Sequence, residues 1–356
     1  MVRDRRGGRM AARLLAGVAA LVLLAGCGDR ESPATPPAGD PLVERLVAMG
    51  IKREHIVDRG DHFLVQGDIR INKRDVPGMK PLPRTPGGPT YQRSNGTVTG
   101  RIVRVNLAAV DAEDANWASA TRAALNNWTN IAGGGITYVE GAPADVTITM
   151  YSGPGDCTAA VGAWPSAGAP GATVVINRSY SGSYTLAQRT WIMTHELGHN
   201  IGLAHTDQSF GTLIPGTNTS DGGSVMNSGA SYPGCPPVAP SWSGFSAGDQ
   251  TALRWLYPGP SVSISGKQYV AKHESAPYTA NTSNGVAPYT YEWRTRQSGP
   301  STSGSWSSWF STGSSNVTYA SINSCGLNTN YLEARVTDAI GKQSTASYTI
   351  YLTNPC

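Results

Sequence analysis

Three of the chain's six histidines fall within residues 195–205, in the stretch "HELGHNIGLAHTD" that runs from His195 to Asp207. On a helix His195 and His199, four residues apart, project from one face and can share one small cation. Gly202 can end that helix in a conformation costly for other residues, turning the chain so that His205 swings back as a third ligand. Three imidazoles suit zinc and leave a fourth position for water. Glu196 adjoins a ligand but points to another part of the helix surface, so it can sit beside the water instead of on the ion. The chemistry is then amide hydrolysis: zinc acidifies the water and polarises a carbonyl, while Glu196 takes the proton and delivers it to the leaving amine. A bare His-Glu-x-x-His arises by chance in about one such sequence in several hundred, and Gly202 with His205 in register lowers that by roughly a further several hundred.

These residues need a scaffold. "TLAQRTWIMTHELGHNIGL" reads as the helix that carries them, with Ile192 and Met193 as buried contacts. "DANWASATRAALNNWTNI" is a second helix, with Trp117, Ala120, Ala124, Leu125 and Trp128 at helical spacing and Gly133-Gly134-Gly135 at its end. "FSAGDQTALRWLYPG" is a third, opened by a capping box of Ser246 and Asp249 and closed by Pro258-Gly259. "GRIVRVNL", "ITYVE", "DVTITM" and "ATVVINR" read as strands, so residues 98–259 form an α+β unit, a twisted mixed sheet packed on the active-site helix. Upstream, "PLVERLVAMGI" has helical spacing, "HFLVQGDIRI" reads as one strand, and "DVPGMKPLPRTPGGPT" breaks regular structure near residue 90. After Pro260 short strands rich in Ser, Thr and aromatics suggest an all-β immunoglobulin-like sandwich over residues 260–356, with Tyr289, Tyr291 and Trp293 on one face.

The N-terminus reads as an export signal. Arg3, Arg5, Arg6, Arg9 and Arg13 precede or open the apolar run of residues 14–26, which is too short to span a bilayer comfortably. Its end, Leu24-Ala25-Gly26-Cys27, resembles the lipobox of bacterial lipoproteins, whose cysteine becomes the lipidated N-terminus. Residues 27–40 then read as a Pro-rich flexible tether, and residues 41–97 as an N-terminal segment, with a pro-segment as one option. This places the protein outside the cytoplasm, lipid-anchored in a bacterial cell envelope, with release after processing as an option. Five of the 28 Lys and Arg and one of the 24 Asp and Glu lie in residues 1–26, leaving 23 of each sign. A near-neutral mature chain argues against nucleic acid as a partner. Assigning Cys27 to lipid leaves Cys157, Cys235, Cys325 and Cys356, an even set suited to an oxidising compartment. Of the three pairings, Cys157 with Cys235 and Cys325 with Cys356 keep each pair inside one proposed domain.

"HELGHNIGLAH" matches the metzincin pattern of zinc peptidases, which also carry a methionine turn beneath the metal; Met226 in "SVMN" takes that place. Residues 60–258 resemble the bacterial dual-action HEIGH metallopeptidase family through "HFLVQGDI", "THELGHNIGLAHTD", "IPGTNTSDGGSVMN" and "FSAGDQTALRWLYP", with Leu197 in place of the family's Ile. The resemblance implies a zinc endopeptidase acting on protein or peptide substrates, with a five-stranded sheet over the active-site helix. "APYTYEW" and "RVTDAIG" resemble the PKD-like modules appended to secreted bacterial hydrolases. Where several metzincins have a Tyr two residues after the turn methionine, this chain has Ser228, so the oxyanion donor is unassigned and Tyr232 is a candidate. Asp207 is a candidate to receive a histidine N–H or hold its loop, and Asp221 shares the ambiguity. "GTNTSDGG" offers calcium-type ligands, but turn chemistry explains them adequately. Astacin-type metzincins use a Phe-x-Gly-Asp segment whose aspartate caps the zinc, and Gly67-Asp68 stands in a similar context; a simple turn is the competing reading. The competing function is a non-catalytic surface-binding lipoprotein with a structural metal site, in which Trp306, Trp309 and Phe310 of the sandwich stack on cell-surface glycan or peptide.

Overall fold

The computed structural model describes residues 39–79, 92–93, 97–153, 158–208, 210–218, 221–228, 239–323 and 326–353. The leader, Cys27, the other four cysteines and Tyr232 lie outside the described residues, and so therefore do the expected lipidation, both disulfide pairs and the oxyanion candidate. Among the described residues no helix is long and apolar enough to cross a membrane.

The first structured unit is a helix and three strands: α1 (Pro41–Ala48), β1 (Ile56–Asp58), β2 (His62–Val65) and β3 (Ile69–Asn72). Pro41 stands at the start of α1 and Asp40 caps it, its carboxylate accepting from Leu42 N at 2.8 Å. "HFLVQGDIRI", expected as one strand, is two antiparallel strands, because Gln66 and Gly67 both adopt positive φ, 53° and 98°, and reverse the chain. Val43, Leu46, Phe63, Val65, Ile69 and Ile71 form a small core with Trp164, Ala204 and Phe210 from the larger unit.

That larger unit comprises β4 (Gln92–Arg93), β5 (Ile102–Asn106), α2 (Ala108–Glu113), α3 (Ala115–Thr129), β6 (Thr137–Glu140), β7 (Val146–Tyr151), β8 (Ala160–Ala163), β9 (Thr173–Asn177), α4 (Leu186–Asn200), β10 (Thr212–Leu213) and α5 (Ala247–Leu256). Five of its strands, in the order β8-β9-β7-β5-β6, continue the sheet begun by the first unit, giving an eight-stranded sheet β1-β2-β3-β8-β9-β7-β5-β6. All neighbours from β9 to β6 pair parallel, whereas β8 is antiparallel to β9. Sequence periodicity missed β8, whose "AVGA" is too short and small to show alternation. Helix α3 lays Trp117, Ala120, Ala124 and Trp128 against α4, and truncating a buried aromatic of this size typically costs about 3–5 kcal/mol.

The third unit contains β11 (Ser261–Gly266), β12 (Tyr269–Val270), β13 (Ala276–Ser283), β14 (Thr290–Gly299), β15 (Thr302–Ser303), β16 (Phe310–Gly313), β17 (Val317–Ala320), β18 (Thr329–Thr337) and β19 (Gln343–Leu352). Two sheets, β11-β13-β17 and β12-β19-β18-β14-β15, enclose one core around Tyr278, Trp293, Leu332 and Ile350, which is the expected immunoglobulin-like sandwich.

Candidate metal centre

Helix α4 begins at a capping box in which Thr185 and Gln188 satisfy each other's backbone N–H groups. It ends at Asn200, and Gly202 follows at φ 88°. Leu203 N donates to Gly198 O at 3.0 Å and Gly202 N to His199 O at 3.0 Å, the paired bonds of a helix closed by a left-handed residue. The turn returns His205 to the helix face as expected. The Nε2 atoms of His199 and His195 are 3.0 Å apart, and those of His195 and His205 3.2 Å. All three side chains are buried.

The outward nitrogens are spoken for. His195 Nδ1 faces Val225 O at 2.7 Å, His199 Nδ1 faces Leu203 O at 2.7 Å, and His205 Nδ1 faces Gln66 Oε1 at 3.2 Å. Each acceptor can take an Nδ1 proton, the tautomer that would turn all three Nε2 lone pairs toward one cation. Converging lone pairs repel one another and attract a cation. Trp191, one helical turn before His195, stacks on its ring at 5.1 Å and 25°.

A fourth group closes the figure. Asp68 places Oδ1 3.0 Å from His205 Nε2 and 3.7 Å from His199 Nε2, with Oδ2 3.4 Å from His195 Nε2. Ligand atoms about 2.05 Å from a tetrahedral zinc stand about 3.3 Å apart. The distances observed here, 3.0 to 3.7 Å with both Asp68 oxygens taking part, lie near that spacing. Among the described residues this is the one cluster of such groups able to hold a metal. Asp68 is pinned from the backbone: Gly162 N donates to its carbonyl at 2.9 Å, and Thr158 Oγ1 donates to Gly67 O at 2.9 Å.

Glu196 is buried, and its Oε2 has no hydrogen-bond partner. Burial, and then the Asp68 carboxylate, push its pKa well above the usual range against the opposing pull of His195. Burial would raise Asp68 too, but the charge of His205 and hydrogen bonds from His195 and His205 outweigh it and hold that carboxyl well below its ordinary value. For His195 burial is outweighed by Asp68 and Glu196, which push it up to about 9; burial and the charge of His195 push His199 well below. Gly162 on β8 makes room for these groups, since a Cβ there would stand 2.7 Å from Glu196 O and 3.0 Å from its Oε2.

Met226 lies under the helix, and its approach explains a residue that the sequence reading left without a role. A Cβ on Gly198 would meet Met226 Sδ at 2.4 Å, so only glycine lets the thioether reach α4. Asp249, expected only as part of a cap, also holds the methionine turn: it accepts from Ser224 Oγ at 2.6 Å, Val225 N at 3.1 Å and Ser246 N at 3.0 Å. The Val225 carbonyl is the one that orients His195, so α5 is wired to the first ligand. Asn200 Nδ2 reaches Ala163 O at 2.9 Å and Gly171 O at 3.0 Å, tying the helix end to β8. Trp128 Nε1, Tyr138 OH and Tyr257 OH donate to the carbonyls of Thr194, Leu197 and Ile201, at 2.8, 2.7 and 2.5 Å.

Asp207 contacts Ser228, not a histidine: it accepts from Ser228 N at 2.9 Å and Ser228 Oγ at 2.5 Å, closing the His205 loop onto the methionine turn. Asp221 accepts from Gly223 N at 3.0 Å, a turn contact within "GTNTSDGG". In the sandwich, Arg294 packs over both Trp306 and Trp309 at 4.7 and 4.6 Å, Arg335 over Trp309 at 4.4 Å, and Arg296 over Trp306 at 5.2 Å. Arginines thus pack over both tryptophan rings, while Phe310 stands exposed.

The family model described as dual-action HEIGH metallo-peptidase matches residues 67–247, just over half of the chain, a span that takes in Asp68, the three histidines, Glu196 and Met226. Among the curated proteins none matches. Among solved structures the chain is similar to the PKD domain of an M14-like peptidase from Thermoplasmatales archaeon SCGC AB-540-F20, at 15% identity over 27% of this chain and 94% of that one, with a TM-score of 0.19. It is similar also to the CARDB domain of a Pyrococcus furiosus protein, solved in complex with di-metal ions, at 14% identity over 27% of this chain and 89% of that one, with a TM-score of 0.19.

Proposed function

Because the chain belongs to the dual-action HEIGH metallo-peptidase family, we propose that it is a zinc-dependent endopeptidase of metzincin type, with His195, His199 and His205 as ligands and Glu196 as general base. The observation that carries this reading is the convergence of three histidine Nε2 atoms beside a buried, unpaired carboxylate oxygen. When bound, zinc supplies Lewis acidity to a peptide carbonyl and lowers the pKa of water toward neutrality. The proton work belongs to Glu196. Its buried Oε2, free of other partners, is placed to take a proton from the attacking water and release it to the departing amine nitrogen. The Nδ1 contacts of the histidines and the stacked Trp191 keep the imidazoles from turning away. Casein digestion by the leaderless protein tests this. Activity is expected to vanish on chelation and in Glu196→Gln while that variant still binds zinc; continued cleavage would sink the assignment.

Asp68 is read as a latch, with its segment as a pro-segment. Its carboxylate fills the fourth corner of the cluster, where water and substrate would otherwise enter, and β3 lies along β8 beside it. In the unprocessed chain Asp68→Ala should raise peptidase activity; activity equal to the parent's would rule the latch out.

From the leader and Cys27 we further propose that this peptidase is exported and held by lipid in a bacterial cell envelope. N-terminal sequencing of the mature protein tests the anchor: a readable sequence beginning at or before Ala25 is incompatible with it.

A further inference from the structure

The three histidines are not oriented alike. His195 and His199 give their Nδ1 protons to backbone carbonyls of their own unit, Val225 and Leu203. His205 gives its proton to a side chain from the first unit, Gln66 Oε1 at 3.2 Å, 139 positions away in sequence. Two further observations single out Gln66. It is one of few non-glycine residues at positive φ, 53°, a conformation that costs a side chain about 1 kcal/mol and persists where the surroundings impose it. Its amide Nε2 is buried without a hydrogen-bond partner, so the residue is kept in place despite an unmet donor. The backbone helps impose the pose: Gln66 N donates to His55 O at 2.8 Å, and Gly67 O receives Thr158 Oγ1. One reversal thus aims two successive polar side chains, Gln66 and Asp68, at opposite edges of the same imidazole, Nδ1 and Nε2.

We propose that Gln66 is a positioning residue for the third metal ligand, so that the metal is held more tightly while the first unit is docked than after it leaves. The inference rests on the metallopeptidase reading but is separate from the latch. Asp68 would block the metal's open side; Gln66 fixes the tautomer and ring of a ligand that no backbone carbonyl orients. Losing such an outer partner commonly weakens metal binding about 10- to 100-fold. By linkage, zinc in turn strengthens docking of the first unit by the same factor.

The test is the zinc dissociation constant of the full chain, measured by competition with a chromophoric chelator, alongside the thermal midpoint of the metal-free protein. Gln66→Gly removes the acceptor and also relieves the positive-φ strain, so zinc affinity should fall at least about 10-fold while metal-free stability holds or rises. A residue with only a structural role would not separate the two readouts. Gln66→Glu, which keeps an acceptor at the same reach, should bind zinc within about threefold of the parent. In an Asp68→Ala background the Gln66→Gly loss should persist. Affinity of Gln66→Gly within twofold of the parent, or a loss that disappears without Asp68, would overturn the proposal. A parent chain that binds no zinc would instead overturn the metallopeptidase reading beneath it.

Discussion

The metal centre and the outer face of the sandwich are both built from cationic or basic side chains set against aromatics, yet they settle their electrostatics in opposite ways. On the sandwich two of the arginines are matched on both counts: Arg294 meets Glu333 at 2.6 Å, Arg335 meets Glu292 at 2.7 Å, and Trp306 and Trp309 lie over the guanidiniums. At the centre three imidazole Nε2 atoms crowd together with the Asp68 carboxylate, and Glu196 Oε2 has no hydrogen-bond partner. The first face pairs its charges internally, whereas the second gathers groups able to hold a metal. Buried polar groups left unmatched cost stability, and a fold that keeps several in one place keeps them for a ligand.

This contrast can be broken by measurement. Glu196→Gln should lower kcat by about 10²–10⁴ while leaving metal-free stability unchanged or higher, since its unpaired oxygen serves proton transfer and makes no hydrogen bond that folding would lose. A variant that loses stability along with activity would place Glu196 in the scaffold. Next in size, zinc at 100 times its dissociation constant should stabilise the chain against denaturant by about 2.7 kcal/mol, and the same zinc should leave an unfolding transition assigned to the sandwich unmoved. Gly198→Ala should cost about 1–3 kcal/mol by forcing Met226 aside. In a double-mutant cycle Met226→Ala should recover part of that cost; full additivity would mean that the two residues do not touch. Trp309→Ala should cost the sandwich about 1–2 kcal/mol, with zinc affinity unaltered. Smallest of all, Glu333→Gln should change thermal stability by less than about 1 kcal/mol, because the amide oxygen still accepts from Arg294, which keeps its contacts with Trp306 and Trp309.

How much of this could be read beforehand depended on whether the signal was local. The active-site helix, its capping boxes and the turn at Gly202 follow from spacings of a few residues, and the structure reproduces them. Met226 and Asp68 were legible only through family resemblance, because nothing near either residue betrays a metal more than twenty positions away. Gln66, Gly198 and Asp249 were not seen as parts of the site. Each acts through a partner fixed by tertiary packing: His205 for Gln66, the Met226 sulfur for Gly198, and the Val225 amide for Asp249. Strand β8 escaped for another reason. Four small residues carry no hydrophobic alternation, and it is their neighbours on both sides that make them a strand. The arginines over the tryptophan pair could not be read from the sequence, since only the register of β14 against β18 brings Arg294 and Arg335 to the same face.

The pairing of β3 with β8 also bears on how the protein behaves as a colloid. Gly162 N and Trp164 N on that side bond to Asp68 O and Arg70 O, both at 2.9 Å, and the first unit covers Trp164 and Phe210 with its own small core. A chain beginning at residue 98 would carry both an open strand edge and an apolar wall into water. Such a pair of surfaces recruits other chains, so the shortened protein should self-associate at concentrations where the longer one stays dispersed.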